Sequence, residues 1–139
     1  MDRYSILYPS FALAFLTFAI GVWMRKTRVR ARREGLDPEY FRLNRGAEPP
    51  DYLVRVSQHY DNLFEMPVLF YVISIIAYVT LDTDGPVAWL GWLYVLIRYA
   101  HAYIHTTYND LAHRRLVFFL GSLVLFVMWT RVLVLMIAQ

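Results

Sequence analysis

The stretch "HYDNLFEMPVLFYVISIIAYVTL", residues 59–81, decides the fold because its last sixteen residues carry no formal charge. Three other long runs are similar: residues 4–24 have no charge, while 85–109 and 116–139 have one arginine each. An α-helix needs about 20 residues to cross about 30 Å of hydrocarbon, and it pairs its backbone amides without water. The sequence therefore predicts an all-α integral membrane four-helix bundle, one domain over residues 1–139, with spans at about 4–24, 63–81, 87–108 and 116–137.

The composition also indicates a membrane protein. Of the 139 residues, 58% are hydrophobic and 17% are aromatic, whereas soluble domains use roughly 45–50% apolar residues. The apolar runs lack the alternation that is typical of transmembrane β-strands. Because the chain has no cysteine, disulfides and thiolate metal sites are excluded. The first run is followed by "MRKTRVRARR" and not by a small-residue cleavage site, so we expect it to be a retained span.

The distribution of charge predicts an orientation in the membrane. Nine of the fourteen arginine and lysine residues lie in residues 25–55, and Arg114 and Arg115 follow the third predicted span. The connection "LDTDGP" between the second and third spans contains two aspartates and no base. Since basic loops favour the cytoplasmic side, we expect both termini outside and the basic loop, 25–55, inside. The arginine cluster also predicts contact with anionic lipid, and this position on the membrane disfavours nucleic-acid binding.

Polar residues form two stripes at helical spacing. Steps of three, four and three residues separate the members of each stripe, which places them on one helix face. Ionisable groups in membrane spans are costly and usually face a bundle interior or a wet cavity. All of these groups fall on the predicted cytoplasmic side, which indicates one shared site. The first stripe consists of Arg55, Gln58, Asn62 and Glu65, and the second of Arg98, His101, His105 and Tyr108.

Arg98 is the deepest of these charges. Its guanidinium stays protonated, so it needs an anionic or polar partner, and we expect Glu65 to supply one. Pro67 lacks an amide hydrogen and should free the carbonyl of Leu63 for a neighbouring helix or a ligand. A ligand suited to several arginines and one carboxylate would carry both carboxylates and an amine. A small peptide such as glutathione has this chemistry, although the residues alone do not name it.

The segments "NLFEMP", "RYAHAYIH" and "HRR", at residues 62–67, 98–105 and 113–115, resemble the MAPEG family, the membrane-associated proteins of eicosanoid and glutathione metabolism. The resemblance covers essentially the whole chain. It implies a four-helix protomer in a homotrimer, with glutathione as co-substrate bound between subunits near the cytoplasmic side. The resemblance further implies that Asn62, Glu65, Arg98 and His101 contact glutathione and that Arg114 holds its sulfur as a thiolate.

The resemblance to the MAPEG family assigns three further positions of this chain less directly. An arginine of the first loop, Arg30, is expected to reach the ligand. Members of known activity usually have an arginine four residues before the asparagine, where this chain has Gln58, and Arg55 lies one turn back on the same stripe. The family's span-three tyrosine falls at His105 in this chain.

These residues predict glutathione-dependent transfer to, or peroxide reduction of, a lipophilic substrate that enters from the bilayer. The thiolate is the reactive form of a thiol, and a neighbouring cation such as Arg114 lowers a thiol pKa. His105 is expected to donate a proton or orient the reactants.

Two other interpretations compete with this prediction. His101 and His105, at i and i+4, can grip one metal ion with Glu65 as a third ligand. Arg98 on the same face opposes a cation, and we expect His59 and His113 to be less buried. Alternatively, the protein is not catalytic, and the polar stripes only hold helices and subunits together.

Overall fold

The computed structural model describes residues 3–81 and 85–138, and all regular structure in this part of the chain is helical. A 3₁₀-helix at Arg3–Ile6 precedes six α-helices. The helices pack around one large apolar core, with a small second cluster around Ala31, Leu36 and Leu53. The α-helices are α1 Tyr8–Arg33, α2 Tyr40–Leu43, α3 Asp51–Asn62, α4 Met66–Thr80, α5 Gly85–Thr106 and α6 Leu111–Ile137.

Three helical stretches, Arg3–Arg33, Asp51–Thr80 and Leu111–Ile137, are long and apolar enough to cross a membrane. Large side chains on their outer faces, such as Phe15, Phe18 and Phe126, are well exposed, as lipid-facing residues are. The protein is therefore an integral membrane protein in contact with lipid. Helix α5, which corresponds to the predicted span 87–108, is long enough, but its arginine, histidines and tyrosines lower its mean hydropathy. The four-span count and the orientation remain predictions, and two aspartates that support the orientation, Asp82 and Asp84, lie outside the described residues.

The basic segment is more helical than the sequence analysis predicts. Helix α1 continues to Arg33, so only residues 34–50, with the short helix α2, form the connection predicted over 25–55. Arginine, lysine and alanine are good helix formers, which explains the extension. The arginines therefore project from a helix and not from a loop.

A helix break precedes the second predicted span. Helix α3 ends at Asn62 and α4 begins at Met66. Pro67 lies in the first turn of α4, where its missing amide costs nothing. Helix α3 begins at Asp51 after Pro50 and has no side-chain cap. The break places Asn62 and Glu65 at helix ends, not within a continuous helix.

Close contacts fix α5 against its neighbours. A Cβ atom at Gly91 would lie 3.1 Å from the Pro9 ring, so the glycine allows α5 to approach α1. The rings of Phe70 and Tyr94 stack with centroids 4.8 Å apart and join α4 to α5. Helix α5 also packs extensively against α6. These contacts hold the polar half of α5 beside the end of α3.

Candidate functional site: a buried arginine and histidine cluster

Arg98 binds the helix break between α3 and α4. Its Nη2 atom donates a hydrogen bond to the carbonyl oxygen of Asn62 at 3.0 Å, and the residue is only 2% exposed. Asn62 ends α3, so its carbonyl has lost its helical donor. The sequence analysis expected a neighbouring helix or a ligand to donate to the carbonyl of Leu63. Arg98 of α5 donates instead to the carbonyl of Asn62, one residue earlier. Among the described residues, no ion pair joins Arg98 to Glu65, whose side chain is exposed.

Three histidines form a compact cluster beside this contact. The ring centroids of His59, His101 and His105 are 5.3–5.6 Å apart. All three side chains are buried, and His59 is 0% exposed. The expectation that His59 is less buried is wrong, because it lies on the inner face of α3 with Leu53 and Val56. His59 is therefore a member of the site that the sequence analysis missed.

Several polar atoms of the cluster are buried without a hydrogen-bond partner in the described part of the chain. They include both ring nitrogens of His59, the Nδ1 atoms of His101 and His105, and Nε of Arg98. The Asn62 amide nitrogen lies 3.4 Å from His105 Nε2. Because an amide nitrogen only donates, His105 Nε2 accepts this bond and Nδ1 carries the hydrogen. Unpaired buried donors are rare, and each needs an explanation such as a ligand or an ordered water.

The charges around the rings favour an anion over a cation. Arg98 and Arg114 both lie close enough to act electrostatically on the histidines. No group of three His, Asp or Glu residues within 3–81 and 85–138 is placed to hold a metal ion. An arginine that keeps its charge and imidazoles that offer N–H groups together form a donor-rich, positive environment.

The turn between α5 and α6 positions Arg114. Asn109 adopts a left-handed conformation with φ 53°, and its amide caps α5 at the carbonyl of Ile104. Its side-chain oxygen then accepts a 2.9 Å hydrogen bond from Arg114. The carboxylate of Asp110 caps α6 by accepting the amide of His113, and this bond holds the pKa of Asp110 below its usual range. Arg114 is half-buried, so a ligand can reach it.

The first polar stripe lies largely on the outer face of α3. Arg55 donates to the carbonyl of Thr107 at 2.9 Å and so caps the end of α5. The Nη2 atom of Arg55 also lies 3.8 Å from Oδ2 of Asp51. Gln58 and Glu65 are exposed on the protomer surface. Of this stripe, only Asn62 contacts the buried cluster.

Arg30 belongs to a different network. It forms a 2.8 Å ion pair with Glu34 and stacks over the ring of Tyr52 at 4.4 Å. The Tyr52 hydroxyl and the Arg30 guanidinium lower the pKa of the Glu34 carboxyl. Tyr52 lies ten residues before Asn62 on α3, which corresponds to about 15 Å of helix rise. One protomer therefore does not bring Arg30 to the histidine cluster.

The chain was also compared with known proteins. The model of the MAPEG family matches residues 6–134, nearly the whole chain, and this range includes every candidate residue from Arg30 to Arg114. No curated protein and no solved structure matches the chain.

Proposed function

Because this chain belongs to the MAPEG family, we propose that it is a glutathione-dependent membrane enzyme that acts on a lipophilic electrophile or peroxide. The family includes glutathione-dependent transferases and peroxidases as well as non-catalytic members. The proposal includes four spans, a homotrimer and a site that faces the cytoplasm.

One observation supports catalysis most directly: α3, α5 and α6 deliver donor groups to one place. Asn62 touches both Arg98 and His105, and Arg114 acts on the same rings from the start of α6. Glutathione has two carboxylates and a thiol that becomes an anion, so this set of donors suits its chemistry. No described carboxylate forms an ion pair with Arg98, and the exposed Glu65 acts on it only at longer range, so its charge remains available to a ligand anion.

The proposed roles follow from exposure and charge. Arg114 is half-buried and holds the glutathione sulfur as a thiolate, because a nearby cation lowers a thiol pKa by about 1–3 units. The thiolate then attacks the lipophilic substrate. His105 has an unpartnered Nδ1–H that can donate a hydrogen bond and so orient the leaving group. Arg98 supplies positive charge behind the ligand, and Asn62 and His101 supply polar groups beside it.

The exposed residues are consistent with a site between subunits. Gln58, Glu65 and Arg30 all lie on the protomer surface, and Glu65 is close enough to act electrostatically on Arg98. In a trimer, such residues from one subunit can complete a site begun by Asn62 and Arg114 of another. This arrangement gives exposed polar residues of a membrane protein a partner.

The experiment is a calorimetric titration of the detergent-solubilised protein with glutathione, combined with the ultraviolet absorbance of the bound thiolate. We expect Arg114→Gln to weaken binding by about 10–100-fold, since a charged hydrogen bond contributes about 1.5–3 kcal/mol. The thiolate signal at neutral pH should fall at the same time. Arg115→Gln is the matched control, because Arg115 is adjacent and exposed. Equal effects of the two substitutions, or none, would refute the role of Arg114.

A non-catalytic function is the second candidate, and one contact favours it. The hydrogen bond from Arg98 to Asn62 already satisfies part of the guanidinium within the protein. If the cluster only joins helices, wild-type protein will show no heat of binding with glutathione, and Arg98→Met will lower stability without any functional loss. Binding by the wild type excludes this candidate.

A further inference from the structure

The basic end of α1 carries more cations than the described carboxylates around it neutralise. Arg25, Lys26 and Arg33 are exposed and take part in no ion pair among the described residues, whereas Arg30 is paired with Glu34. Together with Val22, Val29 and the Arg30–Glu34 ion pair they line a shallow groove of about 630 Å³. Unpaired cations this close repel one another, so an anion bound in the groove would stabilise them.

A second, apolar groove adjoins the first. It has a volume of about 580 Å³ and lies between α1 and the break that separates α3 from α4. Val22 and Arg25 line both grooves, so the basic groove and the apolar groove form a continuous surface. The apolar part is lined mainly by hydrocarbon and ring atoms, including those of Ala14, Phe18, Phe64 and Tyr71.

We propose that this two-part surface of α1 is a binding site for an anionic phospholipid, with the phosphate at Arg25 and Lys26 and an acyl chain in the apolar groove. The combination of cations and an adjoining apolar surface matches an anionic lipid headgroup joined to an acyl chain. The cations from Arg25 to Arg33 extend over about 12 Å of helix, which is wider than a single carboxylate and suits a phosphodiester with its headgroup. Trp23 is half-exposed at the same level, as is typical of residues at the membrane interface.

The test compares phosphatidylglycerol with phosphatidylcholine of identical chains, each added to the purified full-length protein in detergent. We expect phosphatidylglycerol to raise the unfolding temperature more. Arg25→Gln/Lys26→Gln should weaken its apparent affinity by about 10–30-fold, as expected for two cations near an anionic headgroup. Arg45→Gln/Arg115→Gln removes the same charge from two other exposed positions and should have little effect. Equal losses in the two double variants would mean general charge attraction and would overturn the proposal.

The apolar half of the site has its own test. Ala14→Phe should fill the groove and reduce the stabilisation by long-chain phosphatidylglycerol, whereas Ala19→Phe, on an exposed position outside the groove, should not. Tighter binding of oleate than of phosphatidylglycerol would overturn the assignment in favour of a carboxylate. If the Arg25/Lys26 variant changes the oligomeric state in light scattering, a second copy of the chain covers this surface and the lipid site is wrong. None of these results depends on glutathione binding, which is measured separately.

Discussion

Replacing His59 by leucine should make this protein more stable and, under the proposed function, weaken glutathione binding. His59 is fully buried, and neither of its ring nitrogens has a hydrogen-bond partner in the described part of the chain. A buried polar atom without a partner costs about 1–3 kcal/mol, and leucine is an apolar residue of similar size. His59→Leu removes this cost and retains most of the packing.

The expected size follows from these two effects. The substitution removes one unpaired donor and one unpaired acceptor, and imperfect packing of the new side chain costs less than about 1.5 kcal/mol. With about 1–3 kcal/mol for each of the two atoms and this packing cost subtracted, the net gain should be about 0.5–6 kcal/mol in the free energy of unfolding. At about 3 °C per kcal/mol for a chain of this size, the unfolding temperature should rise by about 2–18 °C. Near-ultraviolet circular dichroism of the protein in detergent measures this change, and a glutathione titration of the same sample should show weaker binding.

His113→Leu is the matched control, since the side chain of His113 is 62% exposed. Its free energy of unfolding should change by no more than about 0.5 kcal/mol. A lower unfolding temperature for His59→Leu would refute the reasoning, because it would mean that the His59 nitrogens have partners that stabilise the fold. Unchanged ligand affinity in a stabilised variant would remove His59 from the binding site.

Three further predictions concern the packing, the α6 cap and the surface. Gly91→Ala should lower the free energy of unfolding by about 1–3 kcal/mol, because the new Cβ atom would overpack against Pro9. Thermal unfolding should show a smaller loss of stability for Gly121→Ala, because the atom nearest to its new Cβ atom would be a side-chain methyl of Ile97 at 3.3 Å. The hydrogen bond from the His113 amide holds the pKa of Asp110 below its ordinary 3.8, so the cap stabilises α6 above pH 3.8 and is lost as the pH falls below that value. Hydrogen exchange should therefore show loss of protection in the first turn of α6 on acidification. The Asp110→Asn variant should not show this loss. Gln58→Arg should tighten glutathione binding at least tenfold by adding a charged donor, whereas unchanged calorimetric affinity would place Gln58 outside the site.

The sequence predicted the main helices because long apolar runs leave few alternatives in a membrane. It predicted less well where helices begin and end. The extension of α1 to Arg33 depends on helix propensity in a polar segment, which charge patterns do not show. Pro67 indicates an irregularity near the break after Asn62. The sequence analysis predicted only that Pro67 frees the carbonyl of Leu63, and this did not locate the end of α3.

The proximity of the candidate residues was predicted in part, and their function stays a prediction. The contact of Asn62 with Arg98 and His105 agrees with the spacing of the two polar stripes. The sequence analysis followed the stripe that contains Gln58 and Glu65, whose side chains are exposed. His59 lies instead on the face defined by Leu53, Val56 and Leu63, at steps of three, three and four. This apolar pattern would have identified His59 as buried. The separation of Arg30 from the cluster depends on the tertiary packing of α1 against α3.

The hydrogen bond from Arg98 to Asn62 also bears on the order in which the protein is made. The acceptor is synthesised 36 residues before the donor, so the helix break before the second span leaves the ribosome before the side chain that binds its carbonyl. In hydrocarbon, an exposed carbonyl is strongly disfavoured. The second span should therefore remain beside the translocon until α5 arrives, and the two should enter the bilayer as a pair.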